Sequence, residues 1–251
     1  MSTPSPSFTL LQKPYFIKTF QNENYRDAFL RGQIFMNLSG YYHKIEGSDP
    51  QRGDYYDGRI PLNPAEIFIN DVSLSEIVSV MPQASLGTIR DEYIPLFCCS
   101  MISDNILIEI ESGIFRLHEK FKEVLQAFGQ HSIVFHAGEF ISNVQAACQN
   151  KELGLDYGPI TYIDCVNPVL NSEHDKLYPS GINPLFTKDI KYSSQNEWRM
   201  CVASIENERD LLDGNDSFTL NIEPLTAVMK WTSAELAEAY FRITEQPEGI
   251  V

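Results

Sequence analysis

The sequence contains no run of about 18 apolar residues, so no membrane-spanning helix is expected. Its N-terminus, M-S-T-P-S-P-S-F-T-L-L-Q-K-P, lacks a basic n-region and an apolar h-region and does not read as a signal peptide; a cytoplasmic location is expected. Cysteine is sparse. Cys98, Cys99, Cys148, Cys165 and Cys201 form an odd set without C-x-x-C spacing, mostly in apolar contexts such as L-F-C-C-S and W-R-M-C-V, which predicts reduced core thiols. The histidines (His43, His118, His131, His136, His174) show no H-E-x-x-H or paired metal spacing, and no metal is expected. G-x-G-x-x-G, G-x-x-x-x-G-K-[ST] and G-x-S-x-G are absent, which removes the dinucleotide oxidoreductase, P-loop and α/β-hydrolase readings. Positive charge is scarce: 19 basic residues against 34 acidic ones give a net charge of −15. Nonspecific attraction to nucleic-acid phosphates is therefore not expected, although a local basic cleft stays open and a basic partner protein such as an inhibitor would suit the surface.

What is present is enough for a substantial core: 251 residues, 43% of them hydrophobic. Residues 1–14, rich in Ser and Pro, read as a flexible or loosely held extended segment, and residues 15–251 as one domain. Tyr15–Phe20 alternates as a strand, with Phe16, Lys18 and Phe20 on one face. Lys18 is either a lysine snorkelling from a sheet edge or a cation placed to meet an anion such as a diphosphate. A short helix over Asn22–Arg31 ends at Gly32 and leads into a strand, Gln33–Leu38. The following stretch through Arg59 is polar, aromatic and glycine-punctuated, and reads as a long loop or a loop with a short helix. In it Tyr41 or Tyr42 could stack on a flat heterocycle or pack on the core, and Arg52 and Asp54 could pair to order the loop.

Further on, 96–102 and 105–110 read as buried strands, and Ser112–Phe128 as the clearest helix, with Ile114, Leu117, Phe121, Val124, Leu125 and Phe128 as its apolar stripe. Strands over 132–135, 160–165, 217–222 and 227–231 and a helix around Phe140–Cys148 follow the same logic. Thr232 and Glu235 form a capping box for a last helix through Phe241. Many strands interspersed with few helices define an α+β pattern.

The stretch F-T-K-D-I-K-Y-S-S-Q-N-E-W-R-M-C-V, residues 186–202, carries the chemistry. Strict alternation puts Trp198, Met200 and Val202 on one face of a strand and Gln195, Glu197 and Arg199 on the other. A strand-fixed carboxylate two residues from an amide could hold a substrate hydroxyl while the amide holds an acceptor. The alternative is a same-face ion pair between Glu197 and Arg199, worth about 0–1 kcal/mol at a surface.

Together with Y-F-I-K-T-F, L-R-G-Q-I-F-M-N and R-G-D-Y-Y-D-G, this stretch resembles a family of bacterial ADP-ribosyltransferase-like proteins of toxin–antitoxin and phage-defence settings. The resemblance implies split mixed or antiparallel β-sheets with peripheral helices. It also implies NAD as substrate, with ADP-ribose passed to an RNA or protein acceptor, and an antitoxin or chaperone as a further partner. Q-N-E matches a Gln-x-Glu pattern, making Glu197 the carboxylate that stabilises an oxocarbenium-like transition state and Gln195 the acceptor-orienting amide. Lys18 takes the first-strand cation position of the family pattern, and Ser39, Tyr41, Tyr42 and Arg52 join it as expected NAD contacts. A patch of Lys44, Arg52 and Arg59 would suit an RNA acceptor. Readings from other classes are an NAD glycohydrolase and a non-catalytic interaction protein that keeps the fold.

Overall fold

The computed structural model describes residues 7–11, 14–45, 47–54, 57–62, 68–69, 72–73, 84–86, 93–165, 184–204 and 217–244. In chain order the first strands are β1 (Ser7–Leu11), β2 (Tyr15–Phe20), β3 (Gln33–Leu38), β4 (Ile60–Leu62), β5 (Phe68–Ile69), β6 (Val72–Ser73), β7 (Ala84–Leu86), β8 (Pro95–Met101) and β9 (Leu107–Glu111). They continue with β10 (Ile114–Leu117), β11 (His131–His136), β12 (Leu153–Pro159), β13 (Thr161–Ile163), β14 (Thr187–Asp189), β15 (Glu197–Ser204), β16 (Ser217–Asn221), β17 (Val228–Thr232) and β18 (Tyr240–Thr244). The helices are α1 (Glu23–Leu30), α2 (Ser39–Ile45), α3 (Glu119–Phe128), α4 (Ala137–Asn150) and α5 (Ser233–Ala237). The class is α+β, with mostly antiparallel pairing. Packing concentrates in two units, one of Met1–Asn37, Pro95–Pro159 and Ser194–Val251, the other of Leu38–Ile94 and Ile160–Ser193.

In the first unit the larger sheet runs β12–β15–β8–β2–β11–β17. β15 lies along one edge of β8, pairing from Glu197 with Ser100 to Cys201 with Leu96. On the opposite edge β2 pairs at Phe16–Met101 and Ile17–Ser100, and β3, which also carries β16, pairs with β8 as well. The sheet therefore forks, β2 and β3 dividing one edge of β8. Helix α1 connects the two arms. It starts where Asn22 Oδ1 accepts the Asn24 N–H at 2.8 Å and inserts Phe29 between the arms, its ring stacked on Phe97 at 5.7 Å and near Phe135 at 5.4 Å. The turn after α1 needs glycine: Gly32 has φ +88, and a Cβ there would lie 2.0 Å from the Ile222 carbonyl oxygen.

Alternation along these strands feeds two cores. Phe16, Phe97, Cys99, Ile133, Phe135, Trp198, Met200 and Val202 pack with Phe140 of α4; Ile17, Val134 and Phe241 pack with Phe121, Val124 and Leu125 of α3. A smaller sheet has the order β1–β18–β10–β9. In it Ser7–Leu11, part of the segment read as flexible or extended, pairs in parallel with Tyr240–Thr244.

Two expectations need correcting, and one strand has no counterpart in the sequence reading. The helix over Ser112–Phe128 begins only at Glu119: Ile114–Leu117 is a strand paired with β9 and β18, entered through Gly113 at φ 71. Ile114 and Leu117 fit a helical stripe, but sheet pairing overrides that local pattern. His118 caps α3, its Nδ1 accepting the Lys120 N–H at 3.2 Å. The last helix stops at Ala237, and Phe241 belongs to β18, although the Thr232–Glu235 capping box forms as read. Finally, β12 (L-G-L-D-Y-G-P) has no strong strand signature, yet it pairs with β15 from Leu153–Ser204 to Pro159–Trp198, all of that strand but Glu197.

In the second unit the segment after β3 is a short helix, α2, followed by turns. β4 pairs with β7, β5 with β6, and β13 lies parallel to β14. Its described core mixes apolar side chains, Leu185 and Phe186 among them, with polar and charged ones: Asp54 and Asp57 are fully buried, and Thr187, Lys188 and Asp189 nearly so.

Candidate functional site

Glu197 is the first residue of β15, directly opposite Ser100 of β8. Arg199, two residues on, stands between Cys98 of β8 and Gly158 of β12. Side chains paired across a sheet share a face, so the guanidinium lies beside a position that has no side chain at all. Arg199 donates twice to Glu197 Oε1, from Nε at 2.9 Å and from Nη2 at 2.8 Å. The side chains are 1% and 7% exposed. The strand face that carries Glu197 and Arg199 is thus buried, and the surface estimate of the pair's worth does not apply. In a desolvated pair each charge depends on the other, and removing one partner costs far more than the pair's net contribution. The same field acts on neighbouring thiols. Burial pushes Cys99 well above its ordinary range, with Lys18 opposing and Glu197 adding to the shift; burial and then Asp156 push Cys201 up to about 12, against Arg199. All five cysteines are free, and four are buried.

Gln195 is not on the strand. It ends a 3-10 turn, Ile190–Gln195, and is buried. Between it and β15, Asn196 adopts φ +43, a left-handed conformation that breaks the period-two relation assumed for Gln195 and Glu197. Asn196 is held on all sides by the end of β8 and the turn after it. Its Nδ2 donates to the Met101 carbonyl at 2.6 Å and to Ser103 Oγ at 2.9 Å, its Oδ1 accepts from Asn105 Nδ2 at 3.2 Å, and its carbonyl accepts the Met101 N–H at 2.9 Å. Asn196 carried no role in the sequence reading. The available signal was its residue type, since Asn is enriched at positive φ.

Lys18 is not brought onto the face of Glu197. Ile17, Ser100 and Glu197 are paired across the sheet, so Lys18, the next residue on β2, belongs to the other face. Its Nζ sits 4.7 Å from the centre of the Phe97 ring and donates to the Cys98 carbonyl at the fork, where β2 leaves β8.

Ser39, Tyr41, Tyr42 and Arg52 all lie in the second unit. Ser39 is buried, and its N–H donates to the Ile94 carbonyl at 2.9 Å. Tyr41 is exposed and meets Tyr42 edge to face at 5.5 Å. Arg52 is half-buried and pairs with Asp49 at 3.7 Å. Asp54, read as an ordering partner for that loop, accepts the Asp189 N–H at 3.3 Å. Lys188 and Lys191 place their ammonium groups over Tyr192 at 4.9 and 4.8 Å, and the Tyr192 hydroxyl donates to the Gly53 carbonyl. Sequence reasoning missed this buried polar centre, because its acidic part and its T-K-D-I-K-Y part lie more than a hundred residues apart with no shared spacing rule.

Among the described residues no group of three or more His, Cys, Asp or Glu side chains is arranged to hold a metal ion, and no helix is long and apolar enough to cross a membrane. Comparison with known proteins gives no match: no family model, no curated protein and no solved structure resembles the chain closely enough to assign it.

Proposed function

We propose that the protein is a toxin-type mono-ADP-ribosyltransferase that cleaves NAD and passes ADP-ribose to a protein or RNA acceptor. The observation that carries this reading is the Glu197 carboxylate, fixed at the start of a buried strand by two charge-assisted hydrogen bonds from Arg199. A carboxylate so fixed needs little reorganisation as positive charge develops on a ribose whose nicotinamide is leaving, which is how electrostatic preorganisation lowers a barrier. The forked, mostly antiparallel sheet is compatible with the split-sheet architecture that the sequence resemblance implies. Gln195 would orient the acceptor. A toxin–antitoxin or phage-defence setting, with an antitoxin as partner, is part of the same proposal.

A second reading draws on the same pair. Because Arg199 already engages Glu197 in full burial, the two could be a structural ion pair in a non-catalytic interaction protein. Incubation of the protein and a Glu197→Gln variant with labelled NAD and cell extract, followed by separation of protein and nucleic-acid fractions, decides between them. Label transfer by the wild type alone supports the transferase, and free ADP-ribose without transfer points to an NAD glycohydrolase. Absence of NAD consumption by both sinks the enzyme readings.

A further inference from the structure

We infer that Asn196 is the positioning residue of the Gln-x-Glu segment: its left-handed backbone and its side-chain latch fix where the Glu197 carboxylate sits when NAD is cleaved. The inference rests on the transferase reading of Glu197. Positive φ is uncommon for a non-glycine residue, even for Asn, which tolerates it best, and at φ +43 the surroundings over-determine the conformation of Asn196. Here they do so through four hydrogen bonds, three of them from the side chain, to Met101, Ser103 and Asn105. The residue is 7% exposed, so these bonds are largely sheltered from water.

The latch has a direction. Ser100 is paired with Glu197, so Asn196 is tied to the residue that follows Ser100 and to the turn beyond it. Asn196 therefore fixes the register at which β15 begins, and Glu197 is its first residue. Arg199 fixes the carboxylate from the C-terminal side and Asn196 fixes its backbone from the N-terminal side. In a site whose contribution is placement, a displacement of about 1 Å costs on the order of 100-fold in rate.

Two variants separate positioning from folding. Asn196→Gly keeps the left-handed backbone accessible and deletes all three side-chain bonds; Asn105→Ala deletes one of them and leaves Asn196 intact. Nicotinamide release from NAD is measured per folded molecule, with the folded fraction taken from circular dichroism. For Asn196→Gly we expect kcat to fall about 10- to 100-fold while KM for NAD changes by less than about threefold, and for Asn105→Ala a fall in kcat of about two- to fivefold. Unchanged kcat in both variants alongside an active wild type, even with a lowered Tm, would overturn the positioning role and leave the transferase reading standing. A wild type that releases no nicotinamide would overturn the transferase reading and this inference with it.

Discussion

Arg199→Leu is the most informative single perturbation of the fold. The guanidinium is 1% exposed and its two donors lie 2.8 and 2.9 Å from one oxygen of a carboxylate that is itself 7% exposed. Removing it takes from a buried carboxylate the charge that Arg199 supplies, a loss of about 3–5 kcal/mol, whereas a solvated pair would lose less than about 1 kcal/mol. With a urea m-value of about 3 kcal/mol/M, that loss moves the unfolding midpoint down by roughly 1–1.7 M. Replacing both partners, Glu197→Leu with Arg199→Leu, should recover most of the loss, because the buried negative charge is removed along with the positive one. The penalty of the single variant should also shrink between pH 8 and pH 4, since a buried carboxyl that has lost the guanidinium's charge is relieved by taking up a proton. A single-variant loss below about 1 kcal/mol, or a double variant no more stable than Arg199→Leu, would refute the account of a desolvated, mutually dependent pair. Run beside the NAD assay, the double variant also isolates the chemistry: a folded protein without the carboxylate should release no nicotinamide.

Three further expectations test other parts of the fold. Lys18→Ala should cost about 1–3 kcal/mol by removing the ammonium that donates to the Cys98 carbonyl at the fork, with little change in KM for NAD; a raised KM at unchanged stability would return the ammonium to the diphosphate. Gly32→Ala should lower stability by about 2 kcal/mol or more in a denaturant melt, and a neutral result would mean that the turn and Ile222 can separate. At Glu139, burial pushes the carboxyl up, but hydrogen bonds from the Thr226 N–H (2.7 Å), the Thr226 hydroxyl (2.8 Å) and the Ala227 N–H (3.1 Å) leave it below its ordinary value. A lowered folded-state value means stabilisation that is present above the unfolded carboxyl's range and lost as pH falls through the folded one. Glu139→Gln should therefore weaken the protein at pH 7 and flatten its loss of stability below about pH 4.5. Parallel acid-unfolding curves for the two proteins would contradict this.

Tyr15–Phe20 and Gln33–Leu38 were legible in the sequence because their strand-forming residues alternate: Phe16 and Ile17 feed separate cores, and Ile34, Met36 and Leu38 are buried while Gln33 and Phe35 are exposed. The capping box at Thr232 was legible too, being a local pattern that closes locally. Ile114–Leu117 was not, since a spacing of three satisfies a helical stripe and only pairing with β9 and β18 decides for a strand. β12 escaped notice for a related reason: Gly154 and Gly158 weaken its strand character, and the space Gly158 leaves beside Arg199 is visible only once the register is known. In the candidate site the sequence placed Glu197 and Arg199 on one face, which their register and hydrogen bonds agree with. It put Gln195 on that face too, and wrongly, because a single left-handed residue at Asn196 resets the alternation.

The fork at β8 also sets an order of events for folding. Tyr15–Leu38 can form a strand, a helix and a strand early in the chain, but both arms dock on a strand that begins only at Pro95. The opposite edge of that strand then waits for β15, whose pairing of Glu197 with Ser100 closes a loop of about 100 residues. Pairings of that sequence separation raise contact order and slow the search for the native sheet. On the ribosome β8 would therefore emerge with one edge unpaired until β15 is made, and during that interval its apolar residues, Leu96 and Phe97 among them, are open to association with other chains.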